Sequence, residues 1–265
     1  MAAAINRPVG YQALFDFTSV AQAIGFARRH GFDFVELHLN NIGFYRELET
    51  TRKRRAFDIL VHAADGFNLF TPSGPARQAA ALYLEHQVSL AVRIGARCLT
   101  FHISNDVPFA ISGVKHYMHQ FYPGECRQWV RKALQQVTRF ARGRINLCVE
   151  NTAGYRHPFV QEAVDTLLGQ GLNLTWDFGH TNCLSHKARQ AEFAFFGKRR
   201  SFVRNCHLHD NDHRTDLHLA IGAGTVDFKR FLEILDGSNP YLTIETRPKR
   251  NVVRSLAVLR RLLSC

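Results

Sequence analysis

The chain has 265 residues, 46% of them hydrophobic, with 34 Lys and Arg against 22 Asp and Glu, a formal net charge of +12, 14 His and six Cys. That hydrophobic fraction excludes disorder as the main state, and no run reaches the ~18 apolar residues of a membrane helix. The N-terminal residues show no charged segment leading into an apolar one, and the cysteines form no C-x-x-C pair, so a cytoplasmic protein with reduced thiols is expected.

Short β-rich runs are expected at 10–14, 32–38, 58–62, 98–102, 145–150, 172–177, 202–209 and 241–245. Helical periodicity fills 20–30, 74–94, 128–142, 159–168, 187–196, 228–235 and 252–263, with a weaker helix at 44–55. Ser73 and Pro158 stand where helices should start, and Gly95, Gly143 and Gly171 where they should stop. Eight strands alternating with helices predict parallel β/α units. At this length the economical closure is a single (β/α)8 TIM barrel, an α/β fold spanning 1–265 as one domain. An open doubly wound sheet would carry a Gly-rich turn after its first strand, and none follows Leu14.

The predicted strands end in polar residues. DILVH ends in His62, CLTFH in His102, INLCVE in Glu150, LNLTWD in Asp177 and YLTIE in Glu245, while CHLHD carries His207 and His209. In a barrel these ends share one face, the one that holds active sites. Asp177-Phe178-Gly179-His180 and Asp216-Leu217-His218 extend the set. Mixed imidazole and carboxylate donors suit Zn, Mn, Fe or Co as divalent ions and suit Ca or Mg poorly. His207 and His209 lie two apart on one strand, so both can face the barrel interior. His30, His86, His116, His119 and His186 have no strand-end logic and read as surface or packing residues.

The basic excess is an arginine excess, 27 Arg to 7 Lys, and the arginines are scattered. The densest runs, 52–55 and 198–200, fall away from the predicted strand ends, whose loops mix bases (Arg156, Arg214, Arg247, Lys249) with acids (Asp65, Asp106, Asp210, Asp212). A nucleic-acid groove should be basic along the face that meets phosphates, so a nucleic-acid partner is possible but not favoured.

The segments GFDFVELHLN (31–40), VHAADGFNL (61–69), CLTFH (98–102), CVENTAG (148–154), WDFGH (176–180), HLHD through GAGTVDF (207–228) and IETRP (244–248) resemble the xylose isomerase-like TIM-barrel superfamily. It includes sugar and sugar-phosphate isomerases and epimerases, and endonuclease IV, the apurinic endonuclease of AP endonuclease family 2. The isomerase branch implies one divalent metal held by Glu150, Asp177, His207 and Glu245, with Glu150 and Glu245 exchanging a proton at carbon. His62, His102, His180, His209 and Arg214 would then contact the substrate. The endonuclease branch implies up to three zinc ions on nine side chains, adding His62, His102, His180, Asp216 and His218 as ligands. Asp65 stands where that branch has an aromatic, and the 40–47 loop offers only Arg46 as a base.

The expected activity is therefore a metal-dependent isomerase or epimerase acting on a small sugar, sugar phosphate or polyol. The alternatives are a zinc-dependent apurinic endonuclease, or a barrel that binds a ligand without catalysis. The segment 103–125, with Phe109, Tyr117, Phe121 and Tyr122, reads as a lid or a packed loop. Substrate, metal identity and oligomeric state are not legible.

Overall fold

The computed structural model describes residues 7–51, 56–104 and 106–264. Strands β1 (Val9–Ala13), β2 (Phe34–His38), β3 (Asp58–His62) and β4 (Cys98–Phe101) are followed by an antiparallel hairpin, β5 (Pro108–Ile111) and β6 (Val114–Tyr117). Then come β7 (Asn146–Glu150), β8 (Leu172–Asp177), β9 (Val203–Leu208) and β10 (Tyr241–Ile244). Apart from the hairpin, these strands close a parallel barrel in the order β1-β10-β9-β8-β7-β4-β3-β2. The helices are α1 (Val20–His30), α2 (Ile42–Thr50), α3 (Gly74–Ile94), α4 (Met118–Phe121), α5 (Pro123–Ala141), α6 (Pro158–Leu167), α7 (Phe178–Asn182), α8 (His186–Lys198), α9 (Phe228–Ile234) and α10 (Lys249–Leu263). The expected single (β/α)8 barrel is the fold observed.

Helix α1 shows how these elements start, stop and pack. Ser19 Oγ accepts the Gln22 N–H at 3.2 Å, Gly31 ends the helix at φ 74°, and Val20, Ala23, Ile24 and Ala27 are buried on one face. Ser73 and Gly95 bound α3 as expected, and Pro158 opens α6. Two segments differ from the sequence expectation. The helix expected at 44–55 starts earlier, because Asn41 caps it through the Gly43 and Phe44 N–H groups, and it ends at Thr50, so the basic run 52–55 lies outside the described residues. Within 103–125 the described residues include the hairpin and α4, and α5 starts at Pro123 rather than near 128. No described helix is long and apolar enough to cross a membrane, and Cys98, Cys126, Cys148, Cys183 and Cys206 are free.

Residues two apart on each strand point the same way, and this period stacks the barrel interior into layers. The floor is apolar: Phe34, Leu60, Cys98 and Cys148 pack together, with Tyr241 beside them. Gly10 leaves room for Phe34, whose ring would stand 2.5 Å from a Cβ at that position. One step up, two residues on, the layer is polar. Thr100 and Thr175 share a hydrogen bond at 2.8 Å, Thr243 Oγ1 donates to Asn205 Oδ1 at 2.8 Å, and Asn205 Nδ2 donates to Glu36 Oε1 at 2.9 Å. Gln12 also donates to Glu36. A further step brings His38, His102, Asp177, His207 and Glu245 to the mouth, formed by the C-terminal strand ends, where His62 and Glu150, two residues beyond Leu60 and Cys148, join them.

Candidate metal centre

At the mouth the nine expected residues meet in one contact network. Glu150, 1% exposed at the end of β7, is its hub. Its Oε2 lies 3.3 Å from His62 Nε2, 3.1 Å from His102 Nε2 and 3.2 Å from His207 Nδ1, and its Oε1 lies 3.3 Å from His180 Nδ1. Glu245 Oε2 approaches the same His207 Nδ1 at 3.2 Å. Asp216 Oδ2 meets His180 Nε2 at 3.2 Å and His218 Nε2 at 3.3 Å. His209 is fully buried, with Nε2 3.2 Å from Asp177 Oδ1 and 3.3 Å from Asp216 Oδ1, and its ring stacks on His218 at 3.9 Å. Arg214 is exposed on the loop, where its backbone N–H donates to Asp212, and among the described contacts it does not join the cluster.

These atoms group by proximity into four overlapping triads that could hold ions. They are His62, His102 and Glu150; Glu150, Asp177 and His207; Asp177, His180 and His209; and His209, Asp216 and His218, the ligand atoms of each lying within 4.8 Å of one another. Several of the same atoms have no hydrogen-bond partner although buried: Asp177 Oδ2, His180 Nδ1, His207 Nδ1 and both His209 nitrogens. Buried polar atoms left unpaired are costly, and a set of converging N and O donors is what a divalent transition ion satisfies. The residues present therefore fit such an ion.

The fold directs these donors through local devices. Asp177 caps α7 by accepting the His180 N–H at 2.6 Å, which ties two of the donors into one turn. Gly179 sits between them because a Cβ there would collide with the His209 ring. Asn151 accepts the Asp177 N–H at 2.6 Å and donates to its carbonyl at 3.0 Å. His62 Nδ1 is 2.9 Å from the Ala63 carbonyl, which favours the proton there and leaves Nε2 facing Glu150. Asp210 is buried and accepts the N–H groups of Asn211, Gly222, Gly224 and Val226 at 2.9 Å each, closing the loop that presents Asp216 and His218.

The electrostatics follow from burial set against opposite charge. Burial alone would lower the His102 pKa, but the Glu150 and Asp65 carboxylates push it up to about 10. His218 goes up to about 9 in the same way, against its burial, through Asp216 and Glu245. His180 and His207 also stand well above the ordinary imidazole value despite burial, held there chiefly by Asp177 and by Glu36. Burial would raise Glu150 and Asp177, yet their imidazole neighbours hold both below the carboxylate range, Asp177 at about 2. His38 goes the other way: burial and the neighbouring His62, stacked on it at 4.2 Å, push it down to about 2.

Sequence reasoning missed three participants. Glu36 and His38 stand on β2, whose end in FVELH carries the same signal as the other strands, and Asp65 pairs with His102 Nδ1 at 3.1 Å from the loop after β3. Glu36 is fully buried, with Oε2 2.9 Å from His207 Nε2. Asn205, two residues before His207, was legible only as a strand residue.

A closed parallel barrel that gathers imidazole and carboxylate donors at its C-terminal mouth has the architecture in which barrel enzymes place their active sites. The sequence model of the xylose isomerase-like TIM barrel family matches residues 24–262, and the chain belongs to that family. A D-tagatose 3-epimerase-like protein superposes with a TM-score of 0.76 at 21% identity, covering 97% of each chain. The TTHB071 protein of Thermus thermophilus, from crystals soaked with zinc chloride, gives 0.70 at 20% identity over 96% of this chain and 97% of that one. The 3-keto-D-glucoside 4-epimerase YcjR of E. coli gives 0.71 at 16% identity over 98% of this chain and all of that one. These likenesses show the fold. Among curated proteins, an uncharacterized protein, MJ1311, of Methanocaldococcus jannaschii is 31% identical over 107 residues, which is 38% of this chain and 35% of that protein.

Proposed function

We propose that the protein is a divalent-metal-dependent isomerase or epimerase acting on a small carbohydrate. The observation that carries the reading is the convergence of two glutamates from different strands, Glu150 and Glu245, on one atom, His207 Nδ1, at 3.2 Å each. Glu150, Asp177, His207 and Glu245 would hold the ion. Bound there, a Zn, Mn, Co or Fe ion supplies Lewis acidity that polarises a substrate carbonyl and acidifies the adjacent C–H. Glu245 is 17% exposed and Glu150 is 1% exposed, so Glu245 is the carboxylate that reaches a substrate proton first. It takes the proton from carbon, and a carboxylate on the other side returns one. His102 and His180, partly exposed, face an incoming substrate at the rim, whereas His62 is buried with its two nitrogens on Ala63 and Glu150. The epimerases among the structural neighbours support a carbohydrate substrate.

The test is solvent exchange. The metal-loaded protein, incubated in D2O with a panel of ketoses including D-tagatose, should place deuterium on the carbon beside the carbonyl, and a chelator should stop it. A panel with no exchange at high protein concentration rejects the reading.

One observation favours a second reading, a zinc-dependent phosphodiester hydrolase acting at abasic sites. His62 and His102 with Glu150, and Asp216 and His218 with His209, complete triads that a single-metal reaction does not require as ligands. A duplex with one abasic site is the probe. Chelator-sensitive cleavage at that site, absent in His102→Ala, would put the hydrolase first.

A further inference from the structure

A cavity of about 270 Å³ opens beside the cluster, walled by Asp65, Phe67, His102, Ser104, Thr152 and Gly154. Its polar side chains are arranged to accept hydrogen bonds rather than to donate them into the space. Thr152 Oγ1 donates to the Ile103 carbonyl at 3.3 Å, and Ser104 Oγ donates to the Phe67 carbonyl, so each hydroxyl keeps its lone pairs for a ligand. Both His102 nitrogens are engaged by carboxylates, Nδ1 with Asp65 at 3.1 Å and Nε2 with Glu150 at 3.1 Å. The Asp65 carboxylate, half exposed, accepts from Asn40 at 2.8 Å and retains further acceptor positions. No Lys or Arg is among the described lining residues. Arg156, on the same loop, is turned to Glu192 Oε1 at 3.3 Å and to the His180 carbonyl at 3.2 Å. Gly154 lies so close to the Ile103 and Ser104 carbonyls that no Cβ fits, which keeps that wall bare of side chain.

An acceptor-lined wall needs a donor-rich ligand. A sugar hydroxyl donates a hydrogen bond, whereas a phosphate dianion is chiefly an acceptor and would face Asp65, while His102, the cationic group in the wall, already has both ring nitrogens on carboxylates. We infer that this cavity seats the uncharged, hydroxyl-bearing end of the substrate and selects against a phosphorylated one. The inference rests on the carbohydrate reading above and chooses, within it, free sugars and polyols over sugar phosphates.

The zinc-loaded protein, labelled with ¹⁵N, is titrated with erythritol and with erythritol 4-phosphate, and the Gly66 and Gly154 amide signals are followed. Inorganic phosphate, titrated alongside, accounts for anion binding at the metal itself. Erythritol should shift both amides, and the phosphate ester should bind there at least about tenfold more weakly. Asp65→Asn should narrow that ratio and Asp65→Lys should invert it. Equal or tighter binding of the ester, no shift with erythritol, or a ratio indifferent to Asp65→Lys each overturns the assignment. Ketose exchange in D2O reports separately on the reaction. Erythritol seated at these amides without turnover of any ketose would keep the cavity assignment and remove the proposed activity. Turnover with the ester bound as tightly as erythritol would do the reverse.

Discussion

The Glu36 carboxylate stands 2.9 Å from Nε2 of His207, and both side chains are closed off from solvent. Burial would raise the Glu36 pKa, but the charge of His207 holds it below the usual carboxylate range. A carboxylate at Nε2 favours the proton on that nitrogen and leaves Nδ1 to face Glu150 and Glu245. Replacing such a partner of a ligating histidine typically costs about 10–100-fold in metal affinity. Glu36→Gln should therefore weaken zinc binding by that order while the fold persists, as read by competition with a chelating dye and by circular dichroism. Unchanged affinity would show that Glu36 does not orient His207.

The same geometry sets an order among the possible ions. Glu150, Asp177 and His207 are at most 1% exposed, while His102, His218 and Asp216 are 29%, 32% and 41% exposed. The buried set, with Glu245 as fourth donor, should hold one ion more tightly than the rim can. Metal analysis of protein purified without added metal should find about one equivalent, and His102→Ala should leave it in place. Two to three equivalents of zinc, falling in His102→Ala and His218→Ala, would support the hydrolase reading instead.

Glu245→Gln should fold normally and lose at least about 10²-fold in exchange rate, the lower end of what a positioned general base contributes. The amide keeps the shape and removes the base. Exchange at the wild-type rate would eliminate Glu245 as the proton carrier.

Metal binding should expel protons. His207, the imidazole among the proposed ligands, stands well above its ordinary value and must lose a proton to ligate, and the charges on His102 and His218, with pKa values of about 10 and about 9, oppose a cation beside them. A calorimetric titration of chelator-treated protein in buffers of different ionisation enthalpy should show proton release, with apparent affinity rising as pH increases from 7 towards 9. The sign for stability is opposite. A histidine whose pKa is raised by folding stabilises fully below its unfolded value near 6.5 and loses that contribution as pH rises through its folded value. Chelator-treated protein should thus lose melting temperature between about pH 7 and 10. A flat profile would place the imidazole charges elsewhere.

Two glycines should respond oppositely to alanine. At Gly179 the added methyl meets the His209 ring, so Gly179→Ala should cost about 1–3 kcal/mol and disturb metal binding. At Gly25, exposed inside α1 with nothing within 4 Å of the new Cβ, alanine should add about 0.5–1 kcal/mol of stability. Thermal denaturation of both variants checks this, at roughly 2–4 °C per kcal/mol.

The alternation of short β-rich runs with helical periodicity, and the turn signals between them, were enough to read a closed barrel. The position of His62, His102, Glu150, Asp177 and Glu245 at strand ends was enough to read one shared face. Both are local properties: a β-rich run and its terminus are written in consecutive residues, and parallel β/α units bring equivalent ends together. What the sequence left open were relations between residues far apart in it. The pairing of Glu36 with His207 spans 171 positions, and no local pattern marks which buried carboxylate faces which imidazole. The hairpin at 108–117, the hub role of Glu150 among four imidazoles, and the turn of Arg156 away from the cavity at Asp65 were settled by closure of the barrel. Closure carries the charged ends into a space with little solvent, where each charge must find an opposite partner or an ion, and only the three-dimensional packing decides which partner that is.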